Sequence, residues 1–167
     1  MTKHLYFASP LFTEMEQHYN TYVVNKIREA FEENIDVYLP QENAAINDKS
    51  NYASSIQIAD GDNAYLKKAD ILVAVLDGVT VDAGVASEIG YFYALDKPII
   101  GIYTDIRQGA GNNKEKIEAL DEIAESPFSY INLYTVGLVK QRGQVVSSSD
   151  DLVDKLKEWM TNDQKSV

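Results

Sequence analysis

Glu88 lies where a soluble α/β enzyme would keep a nucleophile. It belongs to the run Asp82-Ala83-Gly84-Val85-Ala86-Ser87-Glu88-Ile89-Gly90, which follows the apolar stretch Ile71-Leu72-Val73-Ala74-Val75-Leu76. The apolar stretch reads as a buried strand, and Val85, Ile89 and Phe92 recur after it at helical spacing. Glu88 is three residues after Val85 and four before Phe92, so it edges the apolar face rather than the solvent face. A carboxylate there, beyond the carboxyl end of a strand, is placed where open α/β sheets hold ligands. Glutamate early in a helix also has an ordinary explanation, because the helix dipole favours negative charge there. Further residues are needed to overturn it. The chain supplies Tyr6 in the first strand, Phe12 in the loop after it, Gln41 and Asn43 after the second strand, Asp82 after the same strand as Glu88, and Asp62 on a helix. Each alone has a plain alternative: Tyr6 and Phe12 as core aromatics, Asp82 as a helix N-cap, Gln41 and Asn43 as turn residues, Asp62 as a solvated helix residue.

The elements that would carry these side chains alternate between short strand-like runs and longer helical ones, which signals a parallel sheet with crossover helices. Leu5–Ala8 reads as the first strand, ended by Ser9-Pro10. A helix over Glu14–Glu33 follows, with Tyr19, Val23, Ile27 and Ala30 on its apolar stripe. Ile35–Leu39 is the second strand, Gln41–Asn51 a polar loop, Ser54–Lys68 a helix and Asp70–Leu76 the third strand. The segment from Ala83 to about Leu95 is a helix and Ile99–Tyr103 the fourth strand. A flexible loop spans Thr104–Asn113, with Gly109 and Gly111. Lys114–Glu125 reads as a charged helix and Tyr130–Val139 as holding the last strand. Ser148 and Ser149 cap a final helix, and Thr161–Val167 is a polar, frayed tail. The expected fold is one α/β domain over residues 1–167, a doubly wound, flavodoxin- or Rossmann-like parallel sheet flanked by helices.

Composition narrows the function classes. A chain of 167 residues with 45% hydrophobic side chains can bury a real core as one domain. Its net charge of −11 argues against nucleic-acid polymers and anionic membranes as partners. No cysteine is present, which removes thiolate chemistry, and His4 and His18 alone offer few ligands for a transition metal. Neither a metal nor any other cofactor is expected. The start lacks a signal-peptide apolar region and no apolar run approaches spanning length, so cytoplasm is the expected location. Phosphate signatures are missing as well. No G-x-G-x-x-G follows the first strand, no G-x-x-x-x-G-K-[ST] occurs, and Pro10 removes a backbone donor from the first loop. Nor is there a G-x-S-x-G elbow.

From Leu5 to about Lys140 the chain resembles the nucleoside 2-deoxyribosyltransferases. The resemblance rests on Tyr6-Phe7-Ala8-Ser9-Pro10-Leu11-Phe12, Leu39-Pro40-Gln41-Glu42-Asn43, Ala69-Asp70-Ile71-Leu72-Val73-Ala74, Asp82-x-Gly84-x-x-x-Glu88-x-Gly90-Tyr91 and Asn132-Leu133-Tyr134. It implies a cytoplasmic transferase of nucleoside salvage, which exchanges the purine or pyrimidine base of a 2′-deoxyribonucleoside for another free base. By the same resemblance Glu88 is the nucleophile, Tyr6 orients it and Asp62 exchanges a proton with the base. Asp82 holds the deoxyribose, and Asn132 reaches a neighbouring subunit's site to bind the 5′-hydroxyl. Phe12, Gln41, Asn43, Gly84 and Tyr134 complete the expected substrate-binding set. Tyr134 stands where some members carry methionine, and the region Thr104–Ser126 is longer than in shorter members. A homo-oligomer, a hexamer built from dimers with shared sites, is implied.

The chemistry suits these roles. Breaking an N-glycosidic bond builds positive charge on the sugar, which a carboxylate stabilises before forming an ester. Two inversions restore the β configuration. The departing base needs a proton, so Asp62 must be protonated while Glu88 is ionised. The hydrogen bond from Tyr6 and the helix start are expected to lower the Glu88 pKa, and burial to raise that of Asp62. Phe12 could cover the base by stacking, which tolerates different bases. Two rivals use the same fold: an N-glycosidase of deoxynucleoside 5′-monophosphates, with Ser9 and Ser87 as phosphate contacts, and a non-catalytic nucleotide-binding module.

Overall fold

Two strands without an exposed core-facing side chain form the centre of the sheet. β1 (Lys3–Ala8) and β3 (Ile71–Val75) pair in parallel, Leu5 opposite Ile71 and Ala8 opposite Ala74. β2 (Ile35–Tyr38) lies outside β1, and β4 (Ile99–Ile102) and β5 (Gly143–Val146) continue beyond β3. The order β2-β1-β3-β4-β5 is parallel throughout. Winding therefore reverses between β1 and β3, and the loops leaving their carboxyl ends part to open a crevice. The computed structural model describes residues 2–44, 52–108 and 111–164.

Helices cover both faces. α1 (Glu14–Phe31) and α6 (Ser149–Gln164) pack on one, where Val23, Val24, Ile27, Leu152 and Leu156 meet Leu5, Phe7 and Val73. α2 (Ser55–Lys68), α3 (Ala83–Ala94) and α5 (Leu133–Arg142) lie on the other, where Leu66, Val85, Ile89, Phe92 and Val139 meet Tyr6, Ala8, Leu72 and Ala74. Strand side chains alternate between faces, so the β1 register that sends Phe7 into the first core sends Tyr6 towards α3. Side-chain caps start the helices: Thr13 and Glu16 form a reciprocal capping box on α1, and Ser54 and Gln57 do so on α2.

The last strand is not where the apolar pattern puts it. Within Tyr130–Val139, residues from Leu133 onward are helical, and β5 is Gly143–Val146. Asn132 decides this locally, because its side-chain oxygen accepts the Thr135 N–H at 3.0 Å and starts a helix. Val136 and Val139, three apart, then bury one face. Gly143 opens β5 because a Cβ there would stand 2.1 Å from the Ile99 carbonyl oxygen. The expected charged helix over Lys114–Glu125 is also shorter. α4 (Lys114–Glu118) passes into a single 3₁₀ turn at Ala119–Asp121. Ile117, Leu120 and Ile123 are all exposed, so no packed face sustains a longer helix. α6 runs to Gln164, well into the polar stretch expected to fray. Most of the Gln41–Asn51 loop, and Gly109, lie outside the described residues. No helix among the described residues is long and apolar enough to cross a membrane.

Candidate active site

Glu88 and Tyr6 meet across the interface of α3 with the sheet. α3 is fixed by Val85, Ile89 and Phe92, each no more than 1% exposed, and burial of such side chains stabilises by about 1.5–3 kcal/mol apiece. Glu88 projects from the edge of that stripe, where Tyr6 donates its hydroxyl to Oε1 at 2.5 Å. The phenol is fully buried. Burial, with Glu88 beside it, pushes the Tyr6 pKa far above its ordinary value, so Tyr6 remains a donor.

A cleft of about 340 Å³ opens over this pair at the carboxyl ends of β1 and β3. Glu88, Asp62, Asp82, Gly84 and Phe12 line it, together with Ser9, Leu11, Pro40, Ile58 and Val85. Among the described residues, three carboxyl groups and no cation face this cavity, yet no acidic cluster is arranged to hold a metal ion. A larger groove of about 700 Å³ runs along the β5 edge between α5 and α6. It holds none of these groups, and chemistry rather than volume makes the smaller cleft the candidate site.

Electrostatics in the cleft correct one expectation. The Glu88 pKa is raised, to about 7, rather than lowered. Burial is the largest cause. The Tyr6 hydrogen bond opposes it, and the charges of Asp62 and Asp82 add to the rise. One donor does not replace the water that a carboxylate loses. Asp62 is raised too, by burial, with Tyr6 partly offsetting it. Both carboxyls thus hold protons more tightly than ordinary acids, and Glu88 shows the large shift.

The remaining cleft walls are set by backbone chemistry. Asp82 caps α3, its Oδ1 accepting Gly84 N–H at 2.8 Å and Val85 N–H at 3.0 Å, while the residue still lines the cleft. Gly84 permits this, because a Cβ would crowd that same oxygen at 3.0 Å. Phe12 projects from the first loop, 78% exposed. Its backbone is held by Glu16, which accepts both the Phe12 and Thr13 N–H groups. Ser9 is buried, and its hydroxyl has no hydrogen-bond partner among the described residues.

Four expected substrate-binding residues do not line the cleft. Gln41 is occupied with α1: its amide donates to the Gln17 carbonyl and the Thr21 hydroxyl and accepts from Asn20. Asn20, absent from the sequence reading, also donates to the Pro10 carbonyl at 2.8 Å and so ties the first loop to the turn after β2. Asn43 donates to the Tyr38 hydroxyl at 2.9 Å. Asn132 caps α5, and Tyr134 is 76% exposed. Tyr38 and Tyr65 were also missed. Their rings stack at 3.6 Å beside Tyr6, although tyrosines in a strand and a helix otherwise look like core.

The nucleoside 2-deoxyribosyltransferase family model matches residues 5–133. A conserved protein from Enterococcus faecalis V583 is 53% identical, with a TM-score of 0.90 over 95% of this chain and 99% of that one. A 2-deoxyribosyltransferase from Bacillus psychrosaccharolyticus shares the fold at 20% identity and a TM-score of 0.59, over 90% of each chain. A CMP N-glycosidase from Clostridium botulinum, also 20% identical, aligns with a TM-score of 0.50 over 94% of this chain and 99% of that one. No curated protein matches significantly.

Proposed function

Since the chain belongs to the nucleoside 2-deoxyribosyltransferase family, we propose that it exchanges the base of 2′-deoxyribonucleosides through a covalent deoxyribosyl ester on Glu88. The observation that carries this reading is the 2.5 Å hydrogen bond from Tyr6 to Glu88 at the wall of a cleft that Asp62 also lines. In the first half-reaction a Glu88 oxygen bonds to the anomeric carbon. The C–N bond breaks, its electron pair goes to the base nitrogen, and Asp62 supplies the proton. In the second, an incoming base gives a proton to Asp62 and its nitrogen bonds to the same carbon, returning the ester electron pair to Glu88. Tyr6 aims one carboxylate oxygen, leaving the other for attack. Phe12 covers the base, and Asp82 holds the sugar with its uncommitted oxygen.

The cleft of one chain lacks Asn132 and Tyr134. Leu133 and Tyr134, next to Asn132, are large and exposed, side chains that a second copy would cover while taking Asn132 to the sugar's 5′-hydroxyl. The active form is accordingly a homo-oligomer with shared sites, a hexamer built as a trimer of dimers by family resemblance.

Cleavage of a nucleoside monophosphate is the second reading, favoured by the unpartnered Ser9 hydroxyl. Against it, among the described residues three carboxyl groups and no Lys, Arg or His line the cleft, which disfavours a phosphate. Chromatography of thymidine incubated with adenine separates the readings. Transfer predicts deoxyadenosine and free thymine. Thymine without deoxyadenosine, or activity on thymidine monophosphate alone, would reject it.

A further inference from the structure

We propose that the stack of Tyr38 on Tyr65 is the positioning device that holds Asp62 at its working distance from Glu88. The inference rests on the reading of Glu88 as nucleophile and Asp62 as proton donor.

α2 is thinly anchored. Across Ser55–Lys68 only Leu66 is buried, whereas the shorter α3 buries Val85, Ile89 and Phe92. A helix so held needs another restraint if a side chain on it must meet a reacting atom. Ile58, Asp62 and Tyr65 recur at i, i+4 and i+7 and share one side of α2, and the first two line the cleft. The Tyr65 ring lies on Tyr38, with centroids 3.6 Å apart and planes at 13°. Tyr38 meets Tyr6 at 5.2 Å and 43°, and Tyr6 donates to Glu88. Three rings thus run without a gap from the nucleophile to a point one helical turn from the acid. Asn43 fixes the middle ring through its bond to the Tyr38 hydroxyl. A slide or roll of α2 that moved Asp62 would first pull the Tyr65 ring off Tyr38.

Neither Tyr38 nor Tyr65 lines the Glu88 cleft, so both act through other residues. Tyr65 is 40% exposed, more than a side chain that serves only to fill the core. A proton donor displaced by a fraction of its contact distance loses much of its effect, because geometry on that scale is worth up to about a hundred-fold.

The test compares two donors in steady-state transfer to one acceptor base: an ordinary deoxynucleoside, and one whose base leaves as a stable anion without protonation. Tyr65→Leu keeps an apolar side chain and removes the stack. Its kcat should fall by about ten- to a hundred-fold with the ordinary donor and by less than about three-fold with the activated one. Tyr65→Phe keeps the ring overlap and should remain within about two-fold of the parent for both. Adding Tyr65→Leu to Asp62→Asn should cost little further, since the stack would then have no acid to place. Equal losses for both donors, no loss for either, or full additivity with Asp62→Asn would overturn the inference. Tyr65→Phe as damaged as Tyr65→Leu would also do so, by moving the role from ring to hydroxyl. Glu88→Ala, run alongside, reports on the underlying reading alone: transfer that survives it rejects the reading, whatever the Tyr65 variants do.

Discussion

α3 and α2 each deliver one carboxyl group to the same cleft, and they are held in opposite ways. α3 carries Glu88 on a helix whose apolar stripe is sunk into the sheet and whose first turn is capped by Asp82. α2 carries Asp62 on a helix that buries one side chain and otherwise leans on a pair of tyrosine rings. The difference matches what each group would do. A nucleophile that bonds to carbon needs a fixed line of attack. A proton donor forms no bond to carbon but needs its distance held, and a ring stack one helical turn away sets that distance.

Glu88→Ala should have the largest effect. Transfer is expected to fall about a thousand-fold or more, as for other covalent nucleophiles, with an unchanged circular dichroism spectrum because Val85, Ile89 and Phe92 still anchor α3. Asp62→Asn comes next, with a loss of about 10²–10⁴-fold that shrinks for a donor with an activated leaving base. Equal losses for both donors would mean that Asp62 only binds the base.

The pH profile separates the two helices further. The working state of the pair carries one proton, and its upper ionisation lies near the Glu88 value of about 7. For the parent enzyme kcat/KM should therefore be bell-shaped, declining above about pH 7 as that proton leaves. With Asp62→Asn only Glu88 titrates, so the profile should rise to a plateau instead. A bell that survives Asp62→Asn would assign the upper limb elsewhere.

Stability follows with the opposite sign. The Glu88 pKa is raised from 4.5 to about 7 in the folded chain. The native state binds this proton more tightly than the unfolded one, so stability is lost as pH rises through that window. Glu88→Gln should remove the penalty, stabilising the protein above pH 7 by on the order of 2 kcal/mol after allowance for solvent in the cleft, with little gain below pH 4. Denaturant melts at two pH values would show it. The smallest effect is expected for Asp82→Ala. Loss of the cap should cost about 1 kcal/mol, together with weaker sugar binding. Amide exchange offers a direct comparison of the helices: α3 should exchange close to the global unfolding limit and α2 well before it.

Much of this was legible in the sequence for a physical reason. Continuous apolar runs mark strands buried on both faces, as β1 and β3 are, and period-3.6 patterns mark helices that bury one face, as α1 and α3 do. Segment 130–139 misled because its β-branched residues outweighed a single capping asparagine. Glu88 stood out by its spacing and place after a buried strand, whereas the roles of Tyr6 and Asp62 came from the family resemblance; Glu88 and Asp62 line the cleft, and Tyr6 bonds to Glu88. Gln41 was read as a site residue, although its amide is consumed by α1, and no pattern reveals which polar groups a neighbouring helix will take. The Glu88 shift was misjudged because the hydrogen bond can be anticipated from residue types, whereas the depth of burial that outweighs it cannot. Tyr38 and Tyr65 stayed hidden because a stack across 27 residues leaves no local signal.

The covalent step can be observed directly. Enzyme mixed with a 2′-deoxyribonucleoside and no acceptor base, quenched in acid, digested and weighed by mass spectrometry, should carry one deoxyribosyl group on the peptide containing Glu88. The adduct should vanish when an acceptor base is added before the quench. An adduct on another peptide, or base exchange proceeding in an enzyme that never accumulates one and that survives Glu88→Ala, would contradict the assignment of Glu88 as the nucleophile.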